Sequence, residues 1–367
     1  MGTDARTQWK EIVAPDEETR FKGYAEEIRG MQDRAAKGAK PGRALHLKSH
    51  TGVAAELTVR ADLPAELRVA IFAKAGASKC FVRFSNGVGK RQRDGVPDVR
   101  GLALKVLDAP GPKLIAGLEG ATTQDLLFIT VPTFSIGSPD DFLKLLRVVE
   151  RGPLHLVPGL VSALGWGRAL RFIKDLATRP QPSSLATAHF FTAAPLRLGP
   201  FAAKFSLAPA AQGGNIATGP DGYRADLVKR LQGGAITYTL RAQLYVDETS
   251  TPIEDAAVEW KESLSPWVEL ATLTIPSVDV TAGEGAATEK AVEDMSFDPW
   301  HATEEMRPIG AVMRAQVRLR PQRDRARRRG RTGDRDVESV RHEWPRRRRG
   351  GGASKPCRTR ARTPASP

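Results

Sequence analysis

Eight short runs that alternate apolar and polar residues constrain the fold of this 367-residue chain more than any other feature. Each run is rich in β-branched or aromatic residues and is bounded by Gly, Pro or Asp, which is typical of β-strands. Because a helical stretch separates two batches of four runs, the pattern favours a closed antiparallel barrel over alternating βαβ units. The runs are residues 52–61, 80–87, 100–108, 124–136, 189–199, 201–210, 235–247 and 267–276.

Two segments between the strands carry the end signals of helices. Residues 138–152 open with Ser138 as an N-cap, Pro139 at the first helical position and two acidic residues in the first turn, all of which favour a helix start. Residues 221–234 end at a pair of glycines, a common helix stop. The sequence therefore predicts an α+β fold, a closed antiparallel eight-stranded β-barrel with helical insertions and a disordered basic tail.

The positive charge of the chain is concentrated at its C-terminal end. The net charge is +14 and the pI is about 10.0. From Arg314 onward, 19 basic residues stand against 5 acidic ones, so the first 313 residues carry 37 of each. The last segment has almost no apolar periodicity and cannot bury enough surface to fold. We expect three parts: an N-terminal arm or helix over 1–39, a barrel domain over 40–313, and the disordered basic tail over 314–367.

Cysteine use and hydropathy indicate the compartment. Cys80 and Cys357 lie far apart, so a disulfide framework is not supported and a reducing compartment is favoured. The N-terminus has no export signal. The most apolar segment, residues 154–173, is interrupted by a proline and two arginines and falls short of a spanning helix. These features predict a cytoplasmic protein without a membrane anchor.

The stretch RALHLKSHTGVAAELTV, residues 43–59, is the best candidate for chemistry. His46 lies just ahead of a predicted strand that is expected to point into the barrel, three residues after Arg43, and an Arg-Phe-Ser strand follows at 83–85. Isolated histidines are usually structural or solvated, and four others are interpreted in that way: His50, His155, His189 and His342.

With these motifs in view, the chain resembles the catalase family, and more closely its short, catalase-related bacterial branch. The resemblance covers about residues 40–313. Each matching segment is weak alone, but eight occur in the family's order. They are R-x-x-H-x-K at 43–48, VRFSNG at 82–87, PDVRGLALK at 97–105, QDLLFITVPTF at 124–134, AAKFSL at 202–207, TPIEDAAVEW at 251–260, LATLTIP at 270–276 and FDPWHATEEMRPIG at 297–310.

The resemblance implies a haem b enclosed between the barrel and an N-terminal arm. His46 matches the distal histidine, which takes a proton from peroxide and returns it to the leaving oxygen, and this role needs a neutral imidazole. Ser85 matches the residue whose hydroxyl supports that histidine. Arg43 and Arg83 match residues that pair with the haem propionates, a task that suits the planar guanidinium. Phe134 is expected to line the distal pocket, with an ordinary core aromatic as the alternative.

On the distal side the sequence departs from the family at Thr130. Family members carry an Asn five residues past the Asp of this strand, which is Asp125 here, and its amide holds peroxide beside the iron. Thr has one hydroxyl on a shorter, branched side chain, so it would bond peroxide weakly or through a water. We therefore expect slow peroxidase chemistry with peroxide and an organic reductant rather than rapid dismutation.

On the proximal side the departure is larger. The family ends its core with a helix that carries Arg-x-x-x-Tyr, whose phenolate ligates the haem iron. The family spacing from Arg307 places Gln316 and Arg320 at these positions, and none of the four tyrosines lies after residue 245. A guanidinium stays protonated and is a poor ligand. The metal ligand is therefore unassigned, and His301 is a weak substitute.

Three interpretations of the basic tail remain open. It is an arm that binds nucleic acid through phosphates, an inert solvated tail, or the product of a reading-frame shift near residues 311–319, which we favour because the resemblance stops abruptly there. Two alternative functions follow, a haem-free barrel that binds a hydrophobic ligand and a tail-mediated nucleic-acid binder, of which the second is disfavoured. A monomer or dimer is expected.

Overall fold

The computed structural model describes residues 4–36, 43, 45–115, 117–134, 136–178, 181–214 and 219–318. In this part of the chain, strands form one antiparallel sheet in the order β5-β4-β3-β2-β1-β9-β8-β7-β6. Because β5 pairs with β4 and also with β7, eight strands close into a barrel and β6 is a short extra strand beside β7. The predicted closed eight-stranded barrel is confirmed. The strands are β1 (Ser49–Val59), β2 (Gly76–Asn86), β3 (Arg100–Val106), β4 (Gln124–Ile129), β5 (Phe190–Phe191), β6 (Leu196–Leu198), β7 (Phe201–Pro209), β8 (Ile236–Leu244) and β9 (Val268–Ile275).

Helices occupy the connections and both ends of the barrel. The helix predicted after β4 begins as expected, since the Ser138 hydroxyl accepts a hydrogen bond from the backbone N of Asp141 at 3.3 Å. The basic tail was predicted to be disordered from residue 314, but residues 314–318 belong to the helix Ala311–Arg318; residues 319–367 lie outside the described residues. The helices are α1 (Glu17–Ala36), α2 (Pro139–Glu150), α3 (Leu156–Leu164), α4 (Trp166–Thr178), α5 (Gly222–Gly233), α6 (Gly283–Asp294) and α7 (Ala311–Arg318).

Large apolar side chains fill the interior of the barrel. Val82 and Phe84 on β2 and Leu102 and Leu104 on β3 are almost fully buried in one hydrophobic cluster. Because side chains alternate along a strand, the residues between them face the outside. The interior of the barrel is therefore filled with side chains, and residues such as Arg83 and Ser85 lie on its outer face.

Helix α6 covers part of that outer face. A Cβ atom at Gly52 would lie 2.6 Å from the side chain of Val292 on α6, so the glycine allows the helix to pack closely on β1. The expectation that β1 points into the barrel from Gly52 onward is thus correct for alternate residues such as Val53 and Leu57, whereas Gly52 itself faces the helix.

Two strand predictions were too long. The run 124–136 forms a strand only to Ile129, and the run 189–199 divides into β5 and β6. Prolines explain both differences, since Pro132 and Pro195 have no backbone N–H to donate to a neighbouring strand.

Candidate active site

The backbone of His46 is fixed against the end of β2. Its N–H donates to the carbonyl oxygen of Gly87 at 2.8 Å, and its carbonyl oxygen accepts from Nη1 of Arg83 at 3.1 Å. The φ angle of His46 is +55°, a left-handed conformation that is uncommon outside glycine. The surrounding contacts therefore hold this residue in a backbone state that it would seldom adopt alone.

The imidazole of His46 rests on β2 and β3. Its Nδ1 lies 3.0 Å from the hydroxyl oxygen of Ser85. A Cβ atom at Gly101 would lie 2.5 Å from Nδ1 and 2.6 Å from Cε1 of the ring, so the ring sits over the bare Cα of this glycine. Ser85 and Gly101 are paired directly across the two strands. The structure thus brings together two predicted residues, His46 and Ser85, and adds Gly101, which sequence reasoning did not single out although it lies in the PDVRGLALK segment.

Both predicted propionate partners bind a carboxylate of the protein. Arg83 Nε donates to Glu293 Oε2 at 2.8 Å, and Arg43 Nη1 pairs with Glu293 Oε1. Arg43 also donates to the carbonyl oxygens of Glu293 and Met295. Burial of the Glu293 carboxyl raises its pKa, but the hydrogen bond and charge of Arg83 and the charge of Arg43 outweigh it, and the net pKa is lowered. Glu293 is therefore an anion held between two guanidinium groups, a residue that the sequence did not indicate.

Thr130 and Phe134 lie beyond the end of β4. The Thr130 hydroxyl accepts from the backbone N of Arg100 at 3.1 Å, which places it beside Gly101 and the edge on which His46 rests. Phe134 is half-buried, and its backbone N donates to the carbonyl of Ala256 at 3.0 Å. Thr130 is thus close to the candidate site through β3, while Phe134 is joined to the segment 251–260.

A buried polar network lies on the barrel side of the site. Arg100, which is fully buried, donates through Nη1 to Asn86 Oδ1 and through Nη2 to the carbonyl of Asp94 at 2.7 Å. Lys48 Nζ donates to Asp94 Oδ1 at 2.6 Å. Asn86 directly follows Ser85 and Arg100 directly precedes Gly101, so the network holds in place the two strand ends that carry the imidazole.

His50 belongs to this network, and its contacts are structural. Its Nε2 lies 2.7 Å from Asn86 Oδ1, and this oxygen already accepts from Arg100. Burial lowers the pKa of His50 to about 4, although the nearby Asp94 charge and the Asn86 hydrogen bond act in the opposite direction. His50 is therefore a neutral, fully buried residue, in line with the structural interpretation made from sequence.

Helix α7 begins at Ala311, where the resemblance to the catalase family predicts the helix of the proximal ligand. The indole Nε1 of Trp300 donates to the carbonyl of Met313 at 3.0 Å. Arg314 Nε donates to Glu17 at 2.6 Å and its Nη1 to Glu11 at 2.8 Å. The position expected to hold the family's Arg is the half-buried Gln316, whereas Arg320 lies outside the described residues.

Three of the four tyrosines have hydroxyl partners away from the candidate site, and the fourth, Tyr245, is buried. The Tyr223 hydroxyl donates to the Pro182 carbonyl at 2.8 Å, and the Tyr238 hydroxyl donates to the Leu185 carbonyl at 2.6 Å. Tyr24 bonds Asp140, and burial together with that carboxylate raises the pKa of Tyr24 to about 12. Burial also raises the pKa of the phenol of Tyr245. None of them is set up as a phenolate ligand.

His301 is fixed in a structural cluster on the barrel wall. Lys105 Nζ donates to Asp125 Oδ1 at 2.6 Å and lies 3.5 Å from His301 Nδ1. The backbone N of Asp125 donates to the His301 carbonyl at 2.9 Å, and that of Asp298 donates to Asp125 Oδ2 at 2.9 Å. These bonds attach the segment 297–301 to β3 and β4. The cluster therefore joins the segments 97–105, 124–134 and 297–310 in the fold. It assigns His301 no role at iron.

The described residues lack both a metal-binding cluster and a membrane-spanning helix. They contain no group of three or more His, Cys, Asp or Glu side chains arranged to hold a metal ion. Among the described helices, none combines the length and the apolar character that crossing a bilayer requires.

The chain is similar to known proteins in sequence and in fold. No protein-family model matches the chain. A catalase-related peroxidase from Mycolicibacterium paratuberculosis is 28% identical over 294 residues, which cover 75% of this chain and 85% of that protein.

Solved catalases share the architecture at low sequence identity. A fungal catalase superposes with a TM-score of 0.63 at 18% identity, over 83% of this chain and 62% of that chain. Catalase A from Saccharomyces cerevisiae gives 0.60 at 18% identity, over 80% and 62%. A bacterial catalase gives 0.61 at 16% identity, over 92% and 65%. The chain thus spans less than two thirds of the length of these enzymes.

The chain therefore has the catalase fold, a closed antiparallel barrel with helices packed on its outer face. The resemblance to the catalase family that the sequence indicated is supported by the similarity to this catalase-related peroxidase, and the solved catalases share the fold.

Proposed function

We propose that this protein is a haem-dependent oxidoreductase of the catalase-related type that consumes hydroperoxides with an organic reductant. The observation that carries the proposal is the imidazole of His46, held on the outer face of the barrel by Ser85 and seated on Gly101. Haem b, when bound, supplies the redox-active iron that donates electrons to the peroxide O–O bond.

The distal residues fit such a group. His46 has a left-handed backbone, and Gly101 has no side chain. Together they place the imidazole on the outer face of the barrel, directly over Gly101. Arg43 and Arg83 already hold the Glu293 carboxylate, which supports their ability to bind a propionate. A propionate would share these guanidinium groups with Glu293 or replace it.

His46 moves the proton in this proposal. When its Nδ1–H donates to the Ser85 hydroxyl, Nε2 carries the lone pair and accepts a proton from peroxide, which it later returns to the leaving oxygen. Arg83 holds the carbonyl of His46 and so keeps the ring from turning away. Thr130 offers a hydroxyl where the family has an amide, which favours slow peroxidase turnover over dismutation.

The proximal residues do not fit in the same way. Gln316 stands at the position that the resemblance gives to the family's Arg, and Tyr24, Tyr223 and Tyr238 have other hydroxyl partners. We therefore propose that haem is held weakly and that activity is reduced relative to a catalase with a phenolate ligand. No reaction step is assigned to the proximal side.

Titration of the purified chain with haem tests the proposal. We expect a Soret band that saturates with added haem, and oxidation of a reducing dye that depends on both haem and peroxide and exceeds that of free haem. A protein that stays colourless, or turnover equal to that of free haem, would overturn the proposed activity.

A second candidate function is a haem-free barrel that binds a hydrophobic molecule on the same outer face. The lack of a tyrosine ligand among the described residues favours it. In this case a fluorescent fatty acid should bind the haem-free chain, and haem should displace it. Binding that haem does not compete would place the lipid elsewhere and contradict this candidate.

We further propose a monomer or dimer in a reducing, cytoplasmic setting. The Cys80 thiol is fully buried, and burial raises its pKa well above the usual value, so it is a poor nucleophile. A size measurement in solution and a thiol titration of the folded chain test these two points.

A further inference from the structure

A cavity of about 240 Å³ lies beside β7 and β8, and the proposed function does not use it. The wall contains two cations, Lys204 on β7 and Arg241 on β8, and two indole rings, Trp260 and Trp267. Lys204 pairs with Gln243 and Ser206 pairs with Arg241 across the strands. The two cationic residues are therefore diagonal neighbours on the same face, a separation that long side chains bridge.

Lys204 is a buried amine that forms no ion pair with another described residue. It is only 3% exposed, its Nζ donates to the Val258 carbonyl at 3.2 Å, and it lies 5.3 Å from the centre of the Trp260 ring. By contrast, the buried Lys48 and Lys105 each have an aspartate oxygen 2.6 Å away. Within the described part of the chain, the Lys204 amine bonds the Val258 carbonyl and forms no ion pair; the charges of Asp255 and Glu259 act on it from farther away.

Arg241, which also lines the cavity, is a second cation without an ion pair among the described residues. Its Nη2 donates to His189 Nε2 at 3.0 Å, and its guanidinium lies 5.1 Å from the centre of the Trp267 ring. Its hydrogen-bond partners among the described residues are Ser206 and His189, and it forms no ion pair with a described carboxylate. Since the guanidinium donates to Nε2, the His189 ring carries its proton on Nδ1, and burial together with Arg241 lowers the pKa of His189 to about 4. The lining thus holds two cations and two carboxylates, Glu259 and Glu262, but neither cation forms an ion pair with a described carboxylate.

The charge state of Lys204 suits a nucleophile. Burial lowers its pKa to about 8, although the charges of Asp255 and Glu259 oppose the change. A substantial fraction of the amine is therefore neutral in mildly alkaline solution. A lysine that is desolvated and lies near another cation is the arrangement that activates amines toward carbonyl compounds.

We infer that Lys204 forms an imine with a small aldehyde or 2-oxo acid whose carboxylate is bound by Arg241. In the first step the Lys204 nitrogen attacks the carbonyl carbon, a C–N bond forms and the carbonyl oxygen takes a proton. The hydroxyl then leaves as water while the C=N bond forms, and the nitrogen gives up the protons it carried. The condensation releases one water and involves no oxidation or reduction.

Glyoxylate with sodium cyanoborohydride tests the inference on the full chain. The reagent donates hydride to the imine and leaves a stable secondary amine that peptide mass spectrometry locates. We expect Lys204 to be modified at least tenfold faster at pH 8 than Lys261, an exposed lysine of the same region, while the ion-paired Lys105 is unmodified. Modification of Lys204 no faster than that of Lys261 would overturn the proposal.

The role of Arg241 is tested separately. Arg241→Gln should slow modification by glyoxylate about tenfold and leave modification by propanal, which has no carboxylate, unchanged. Because that variant could lose its fold, glycolate should also be added to the unaltered chain, where it competes for Arg241 but has no carbonyl. If neither the substitution nor glycolate slows glyoxylate, the carboxylate site is wrong. These tests need no haem, so their failure is distinct from failure of the proposed peroxidase activity.

Discussion

The two sides of the proposed haem site differ in the side chains that they offer for chemistry, although a structural element is present on each. On the distal side, His46, Ser85 and Gly101 are all present and joined by short contacts. On the proximal side, α7 is present, but Gln316 stands where the family has an arginine. The packing of α7 therefore does not depend on the residues that the resemblance would place at the metal.

The anchor of α7 explains how this is possible. The Arg314 guanidinium binds Glu11, Glu17 and Glu254, which come from the N-terminal arm, the start of α1 and the segment before β9. Burial acts to lower the pKa of Arg314, but hydrogen bonds to these carboxylates raise it overall. The ion pairs depend on residues at the start of the helix, so they are unaffected by what stands further along it.

The largest expected effect is on the distal side. His46→Ala should lower haem-dependent peroxide turnover by about 10²–10⁴-fold, because general acid–base catalysis contributes that much, while the Soret band on haem addition remains. The measurement is dye oxidation by the haem-loaded chain. The exposed His155 gives a matched control, and His155→Ala should leave turnover unchanged. Equal turnover in both variants would remove His46 from the chemistry.

The buried network behind the distal side should appear as a pH dependence of stability. The pKa of His50 is about 4 in the folded state against an ordinary value of 6.5, so the unfolded chain binds more protons between these values. The free energy of unfolding then decreases as the pH falls from about 6.5 to about 4, by up to about 1.4 kcal/mol per pH unit and roughly 3 kcal/mol in all.

Urea unfolding of the unaltered chain and of His50→Gln over this pH range checks that value. The variant should show a smaller slope of unfolding free energy against pH. The remaining slope should include His189, whose pKa is also lowered to about 4. Parallel curves for the two proteins would contradict the assignment of His50 as a neutral buried residue.

A single methyl group at Gly101 sharpens the comparison further. Gly101→Ala places a Cβ within 2.5–2.6 Å of the His46 ring, so the ring has to move. Since a side chain can shift more easily than a backbone, we expect a stability loss of about 1 kcal/mol and a fall in turnover of roughly tenfold to a hundredfold. Gly23→Ala in α1, where nothing lies within 4 Å, should instead stabilise by about 0.5–1 kcal/mol. A turnover loss in Gly23→Ala alone would contradict the role of Gly101.

The sequence predicted more of the barrel than of the site. Strand periodicity located β1 to β3, β7 to β9 and the start of β4 to within a few residues, because alternation records which face is buried. It missed α6, whose contact with Gly52 is between residues far apart in the chain. It also missed Glu293 as the partner of Arg43 and Arg83, since nothing in a local pattern shows which distant carboxylate a guanidinium meets.

The smallest expected effect, and the most direct test of the comparison, is to restore the proximal residues. In the double variant Gln316→Arg/Arg320→Tyr, the tyrosine supplies a phenolate and the arginine keeps it ionised. We expect haem to bind at least tenfold more tightly, about 1.4 kcal/mol, as measured by absorbance titration. Gln316→Arg alone should have no effect, because it has no phenolate to stabilise. Unchanged haem affinity in the double variant would show that the distal and proximal sides differ by more than these two residues. The frame-shift hypothesis would then depend on the gene, where an Arg-x-x-x-Tyr helix encoded in another frame would support it.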